Sequence, residues 1–364
     1  MQMKQRIAYL DGHRGLAILL VVGYHAYSRW PGLVAYGGRY ADIALFKYGF
    51  IGVNLFFLVS GFVILMTLEK CRGFNEFIFR RWIRLFPAML ICSLLIFATA
   101  GYFYERPMGS ASWSSLLPGL TFVEPSWWRL AIGYPRDILE KDFWTLYVEF
   151  KFYVFAAALY FWKGRNWLLA ALSCVYCLSL IAGVMHESTT MEFFRRADLL
   201  VQVVSFEYFG WFGAGAAFYV YSKTRELKWC VFALGLSLLS TLPIRGIDWQ
   251  GTLAGVIVAA LFAASVSAPL LQRILTLRVL QFFGFISYPL YLIHENAMIS
   301  IIVKLGRSKL AVPDFLLPVA AIFLLSVAAY LIAGYLEPYT RRLILAAGKL
   351  GVRTAQRVIH AATA

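Results

Sequence analysis

One apolar run, residues 10–25, carries Asp11 and Arg14 at its start and His25 near its end. A helix rises ~1.5 Å per residue, so Arg14 and His25 stand roughly 16 Å apart along its axis. In a bilayer whose apolar core is ~30 Å thick, His25 then falls at or past mid-depth. An ionisable side chain there is costly to keep, and its presence points to function. An imidazole so placed can take a proton from a hydroxyl as general base. It can also carry a group as a transient acyl-imidazole.

Other polar residues stand inside equally apolar runs. Ser60 lies in 54–62, Glu149 and Tyr153 in 143–153, and Ser287, Tyr288, Tyr291 and His294 in 285–295. Such groups are expected to face a shared, protein-lined cavity rather than lipid. Ser60, Tyr153, Ser287, Tyr288, Tyr291 and His294 are the candidate substrate contacts. Glu149 is expected to orient or charge-stabilise the His25 imidazole, as the third member of a catalytic triad does. Each residue alone also has a packing explanation. Ser60-Gly61 suits a small-residue helix contact, Glu149 has Lys151 nearby, and Glu207 has no recognisable companions. The joint occurrence is what argues for a site.

Arg80, Arg81 and Arg84 precede Pro87. Arg81 and Arg84, at i and i+3, share a helical face, and guanidinium groups grip phosphate bidentately. Arg14, at the same membrane face, joins this clamp. The competing explanation is the ordinary excess of cations on cytoplasmic loops.

The elements that must hold these residues follow from composition. The 364 residues are 61% hydrophobic and only 15% charged, and mean hydropathy is +0.69. Soluble domains carry about 25% charged residues. The apolar runs are long and continuous, which excludes a β-barrel. The chain therefore reads as an all-α polytopic membrane protein. Its net charge of +15 is assigned to the cytoplasmic loops, not to nucleic acid. Of the five cysteines, Cys174 and Cys177 form a C-x-x-C pair, but mid-helix and without a second pair or a histidine ligand, so no metal is expected. The first apolar run holds Tyr24 and His25 and no small-residue cleavage site, so it reads as an uncleaved span.

About ten transmembrane helices are predicted, over 14–30, 49–68, 87–104, 143–162, 167–185, 199–221, 229–242, 252–268, 279–303 and 315–336. Pro87 is taken to open the third and Pro289 to kink the ninth. Residues 105–142 form the longest loop, whose Trp113, Trp127, Trp128 and Tyr134 suit interface anchoring or sugar stacking. With both termini cytoplasmic, about 20 of the 34 cations fall on inside segments against about 5 acids. The chain divides into one integral membrane domain, 1–340, and a basic amphipathic cytoplasmic tail, 341–364, suited to anionic lipid.

In this order the motifs resemble the membrane-bound acyltransferase 3 family of bacterial envelope sugar O-acyltransferases. Leu10-Asp11-Gly12-x-Arg14-Gly15-Leu16-Ala17 with His25 is similar to its Arg-x10-His signature, and Phe56-Phe57-x-x-Ser60-Gly61-Phe62 to its second-helix motif. Arg81-x-x-Arg84 with Pro87 resembles its arginine motif. Trp144-Thr145-Leu146-x-x-Glu149-x-x-Phe152-Tyr153 resembles Trp-Ser-Leu-x-x-Glu, with Thr145 keeping the hydroxyl. Ser287-Tyr288-Pro289-Leu290-Tyr291-x-x-His294 resembles the late-helix motif. His13 stands where the family is often apolar.

The resemblance implies transfer of an acyl group, usually acetyl, from cytosolic acyl-CoA to a carbohydrate hydroxyl at or beyond the bacterial inner membrane. It implies that His25 is essential and that Arg14 serves donor handling or active-site structure. Catalysis is thus expected from His25, Glu149 and Arg14, and acetyl-CoA binding from Arg14, Arg80, Arg81 and Arg84. The expected partners are acyl-CoA, a glycan or lipid-linked glycan, and the bilayer. The fused periplasmic domain of some members is not expected. Two other functions use the same residues: a proton-coupled secondary transporter, and acylation of a small hydrophobic acceptor. No inverted repeat favours the transporter.

Overall fold

A computed structural model describes residues 7–133, 138–188, 191–242, 249–308 and 312–348. The described residues are helical and contain no strand. Leu10 to Tyr24 contain no proline, and α1 (Ala8–Tyr24) runs through them, past Gly12, Gly15 and Gly23, into a π-helical turn, His25–Arg29. The short α2 (Ala44–Lys47) leads through a 3-10 turn to α3 (Gly52–Leu68) and then α4 (Phe74–Thr99). The long loop carries α5 (Leu116–Thr121) and α6 (Pro125–Ile132). Beyond it come α7 (Trp144–Lys163), α8 (Arg165–Ser188), α9 (Glu192–Val204), α10 (Phe209–Thr224), α11 (Leu227–Ser240) and α12 (Trp249–Ser267). The last are α13 (Pro269–Leu275), α14 (Arg278–Arg307) and α15 (Leu316–Leu331). A second π-helical turn, Ile332–Leu336, continues α15, and the helical run extends to Gly348.

Helices occupy all ten expected stretches. Six of them are long and apolar enough to cross a membrane: Gly49–Leu68, Phe74–Thr99, Arg165–Ser188, Trp249–Ser267, Arg278–Arg307 and Leu316–Gly348. The others are short or carry charge, as α7 does with Glu149 and Lys151.

Two boundaries differ from expectation. Pro87 does not open the third helix; it lies thirteen residues inside α4. The basic segment is therefore helix rather than loop, supported by the Arg80–Glu76 pair at i, i+4. Proline inside a membrane helix is tolerated among packed neighbours. Pro87 cannot donate to the Ile83 carbonyl four residues back, and Tyr288 Oη reaches the same turn, donating to the Leu85 carbonyl at 3.1 Å. The helix expected over 199–221 is two helices. Ser205 adopts φ +67° and ends α9. The Lys151 ammonium holds that break by donating to the Val203 carbonyl at 2.7 Å and to Ser205 Oγ at 3.0 Å. A cation at a helix C-terminus also complements its dipole. Lys151 pairs with Glu124 at 2.5 Å, not with Glu149. Pro289 sits within α14, which continues through it unbroken.

α1 packs between α3 and α14, and α10 packs on α3. These contacts bring backbones close. A Cβ on Gly15 would stand 2.1 Å from the Leu280 carbonyl oxygen, and one on Gly61 2.0 Å from that of Phe212. Only glycine allows that approach, the usual device where packing has no hydrophobic drive in lipid. Gly61 thus makes the expected helix contact, and its neighbour Ser60 turns the other way, into the interior. Tyr134 and the tail from residue 349 onward lie outside the described residues.

Candidate active site

Three polar features line up inside the bundle. The first is a vestibule of about 1340 Å³ at the N-terminal end of α1. Among the described residues, Arg14, Lys70, Arg80, Arg81, Arg84, Lys223 and Arg341 face it, against only the carboxylates of Asp11 and Glu337. It is therefore strongly electropositive and suited to a polyanion. Arg14 is held by Asp11 at 2.7 Å. Arg81 is buried, bonded to Thr67 Oγ1, with its guanidinium 5.8 Å from the Tyr153 ring. Its Nε has no hydrogen-bond partner among the described residues. Arg84 is exposed to the vestibule.

The second feature is a slot of about 100 Å³ that opens from the vestibule at Arg14, Arg81 and Arg84. Ser60, Glu149, Tyr153, Ser287, Tyr288 and Tyr291 line it, together with apolar Val53, Phe56 and Leu146. Nine of the twelve residues singled out in the sequence therefore share one cavity, and Arg80 faces its entrance. Glu149 accepts hydrogen bonds from Ser60 Oγ at 2.6 Å and Tyr153 Oη at 2.5 Å. The slot ends where Thr145 Oγ1 donates to Tyr291 Oη at 2.9 Å and Tyr291 donates to the Asp142 carbonyl at 3.2 Å.

The third feature lies beyond that closure. His25 and His294 meet there, His294 Nε2 being 3.2 Å from His25 Nδ1. The Asp142 carboxylate faces both, with Oδ2 3.1 Å from His294 Nε2 and Oδ1 3.5 Å from His25 Nε2. Glu295 Oε1 is 3.8 Å from His25 Nε2. All four side chains are buried. The π-helical turn begins at His25 itself, and such turns recur at functional sites.

Glu149 does not orient His25, contrary to expectation. It lies seven residues down α7 from Asp142, about 10 Å at helical rise, and is committed to Ser60 and Tyr153. Asp142, in the 3-10 turn that precedes α7, takes that place instead. Arg106 Nη2 at 2.5 Å and Asn296 Nδ2 at 3.1 Å both donate to the Leu139 carbonyl and fix this turn on α14. Burial works against the charge of Asp142, but the two histidines outweigh it and hold its carboxyl below the ordinary range. Burial, with Glu295 close by, pushes the neighbouring Glu140 carboxyl up to about 8. Asp142 and Glu295 were not singled out in the sequence. Glu295 adjoins His294, the one available signal; Asp142 sits in a loop, where an acid reads as solvated. One ligand atom each from His25, Asp142 and His294 lie within 4.8 Å of one another, a spacing that suits a cation as well as shared protons. His13 serves packing: its ring meets Phe262 and its Nε2 is 2.7 Å from Ser265 Oγ.

A polytopic helix bundle with a basic vestibule and buried ionisable groups defines a membrane-embedded protein whose vestibule suits an anionic ligand. The model of the acyltransferase 3 family, described as an acyltransferase domain, matches residues 7–337. The chain belongs to this family, whose members transfer acyl groups other than amino-acyl groups. It is 26% identical over 197 residues to "Peptidoglycan O-acetyltransferase OatA" of Listeria monocytogenes, covering 50% of this chain and 29% of that protein. It is 28% identical over 208 residues to YrhL of Bacillus subtilis, named as a candidate peptidoglycan O-acetyltransferase, covering 51% of this chain and 30% of that one. A candidate O-acetyltransferase of Staphylococcus aureus, SACOL0978, is 27% identical over 157 residues, 40% of this chain and 23% of its own length. The chain thus spans under a third of the length of these curated relatives. No solved structure matches it.

Proposed function

We propose that the protein moves an acyl group, acetyl by preference, from cytosolic acyl-CoA to a hydroxyl of an envelope polysaccharide or lipid-linked glycan in the bacterial inner membrane. The observation that carries this reading is the continuity of the arginine-lined vestibule with a narrow slot that ends at Thr145 and Tyr291, against the turn whose Asp142 carboxylate faces His25. The phosphates of CoA suit Arg14, Arg80, Arg81 and Arg84. The thin pantetheine arm suits the slot, with Ser60, Tyr153, Ser287, Tyr288 and Tyr291 along it. Glu149 shapes the slot wall by fixing Ser60 and Tyr153.

The acceptor meets His25 from the far side. His25 takes the hydroxyl proton, the oxygen attacks the thioester carbonyl, and the carbon–sulfur bond breaks. The departing sulfur then takes up the proton as free CoA thiol. In the acyl-carrier route, His25 Nε2 itself attacks the thioester and the carbon–sulfur bond breaks, releasing CoA thiolate. The hydroxyl oxygen then attacks the acyl-imidazole, the nitrogen–carbon bond breaks, and the hydroxyl proton ends on the thiolate. Ten spans with both termini cytoplasmic would set the vestibule at the cytosol and His25, level with the start of α7, in the outer half of the membrane. The relatives' names support O-acetylation of a glycan.

The test is acetyl transfer from labelled acetyl-CoA by the protein in nanodiscs, paired with mass spectrometry of envelope glycans with and without the gene. An acetyl-sized mass difference that disappears with His25→Ala supports the reading. Proton-coupled uptake without CoA release, or transfer retained by His25→Ala, sinks it.

A further inference from the structure

We propose that Asp142 and His294 are positioning residues for His25, sharing one proton between them so that Nε2 of His25 stays unprotonated to receive the acceptor's. This rests on the acyltransferase reading, and it follows from which atoms are able to donate.

A carbonyl oxygen only accepts. His294 Nδ1 lies 2.8 Å from the Tyr291 carbonyl, so Nδ1 carries a hydrogen. Its Nε2 then lies between Asp142 Oδ2, 3.1 Å away, and His25 Nδ1, 3.2 Å away. The hydrogen on His25 Nδ1 is taken by the Val21 carbonyl, and a bare lone pair against a bare carboxylate oxygen repels, so one proton lies between Nε2 and Oδ2. Whether it resides on nitrogen or oxygen, the pair holds one and has none to accept from elsewhere.

The same reasoning fixes His25. Its Nδ1 lies 3.0 Å from the Val21 carbonyl, one turn back in α1, and carries the hydrogen. Its Nε2 is 3.5 Å from Asp142 Oδ1 and 3.8 Å from Glu295 Oε1. Both distances exceed a good hydrogen bond, so Nε2 is uncommitted. It is the atom free to take a proton or to attack a thioester. Both routes above need that tautomer.

The carboxylates matter when Nε2 becomes charged. An imidazolium forming in a buried site needs counter-charge, and among the described residues Asp142 and Glu295 are the carboxylates within 4 Å of Nε2. Neither Glu295 oxygen has a hydrogen-bond partner among the described residues. Three separate elements converge here: the end of α1, the turn before α7, and α14. The arrangement is therefore a product of the fold rather than of one helix.

The full chain in nanodiscs, labelled with ring-15N histidine, tests this. It has five histidines, and His25→Gln and His294→Gln assign the two signals. The expected spectrum shows His25 neutral with hydrogen on Nδ1, and His294 sharing its Nε2 proton. Asp142→Asn is expected to abolish that sharing and lower kcat about tenfold or more. KM for acetyl-CoA is expected to stay within about twofold, because the Asp142 carboxylate does not line the donor slot. Asp142→Glu should recover part of kcat, which separates positioning from folding. Hydrogen on His25 Nε2, an unchanged kcat in Asp142→Asn, or a stoichiometric divalent ion by elemental analysis would each overturn the proposal. Absence of transfer by the unaltered protein would instead remove the acyltransferase reading and the role with it; the ring signals report the proton arrangement separately.

Discussion

The hydroxyls of Thr145 and Tyr291 stand 2.9 Å apart and close the slot just short of the histidine pair. Tyr291 is buried, and its ring centroid lies 5.6 Å from that of His294. The closure sets how much acyl chain fits between the slot and His25. Tyr291→Ala is expected to widen acyl preference toward butyryl-CoA and longer donors. Competition between acetyl- and butyryl-CoA, with the products resolved by mass, reads this directly. An unchanged preference would mean that other residues limit chain length.

Arg84 tests the vestibule more cleanly than Arg81, because Arg81 is buried and tied to Thr67. Arg84→Gln removes a charge-assisted contact to phosphate, worth roughly 1.5–3 kcal/mol. KM for acetyl-CoA should rise about tenfold or more while kcat changes little. Weaker binding at raised salt should accompany it. Equal KM values for the variant and the unaltered protein would place the CoA phosphates elsewhere.

Gly61 and Gly235 make a matched pair. A Cβ on Gly61 meets the Phe212 carbonyl oxygen at 2.0 Å, whereas one on Gly235 meets nothing within 4 Å. Gly61→Ala must push α3 from α10 and should cost roughly 1–3 kcal/mol or more. Gly235→Ala should be neutral or slightly stabilising, by up to ~1 kcal/mol from helix propensity. Thermal midpoints in detergent separate the two, and equal midpoints would contradict the close helix contact.

Glu140 predicts how stability depends on pH. Its carboxyl rises from the ordinary 4.5 to about 8 in the folded protein. Below pH 4.5 it is protonated in both states. Between 4.5 and about 8 the folded state binds more proton than the unfolded one, so this group's contribution falls as pH rises through that window. Above 8 it levels off. Glu140→Gln should flatten the trend and raise the thermal midpoint at pH 8 relative to the unaltered protein. A midpoint profile identical in both would show that Glu140 titrates normally.

Much of the donor side was legible in the chain itself. Ser60, Glu149, Tyr153, Ser287 and Tyr288 each stood out as polar residues in apolar helices, and lipid leaves such groups little choice but the interior. The cations of the vestibule stood out for their number, and Arg81 and Arg84 for sharing a helical face. Pro87 misled because proline favours a helix start in water, while α4, packed among other helices, runs through it. The break at Ser205 was hidden, since it depends on Lys151 arriving from another helix.

By itself the sequence determined that the chain is helical, apolar and polytopic, and that His25 is the residue to explain. Those properties are local: they depend on residue type and on spacing along one helix. Only the tertiary structure decided that Asp142, and not Glu149, stands beside His25. Which carboxylate reaches an imidazole depends on the relative heights of α1, α7 and α14. Those heights follow from the α1–α14 backbone contacts at Gly15 and Gly284 and from the anchoring of the Leu139 carbonyl by Arg106 and Asn296. Spacing within a single helix carries no information about the offset between two of them.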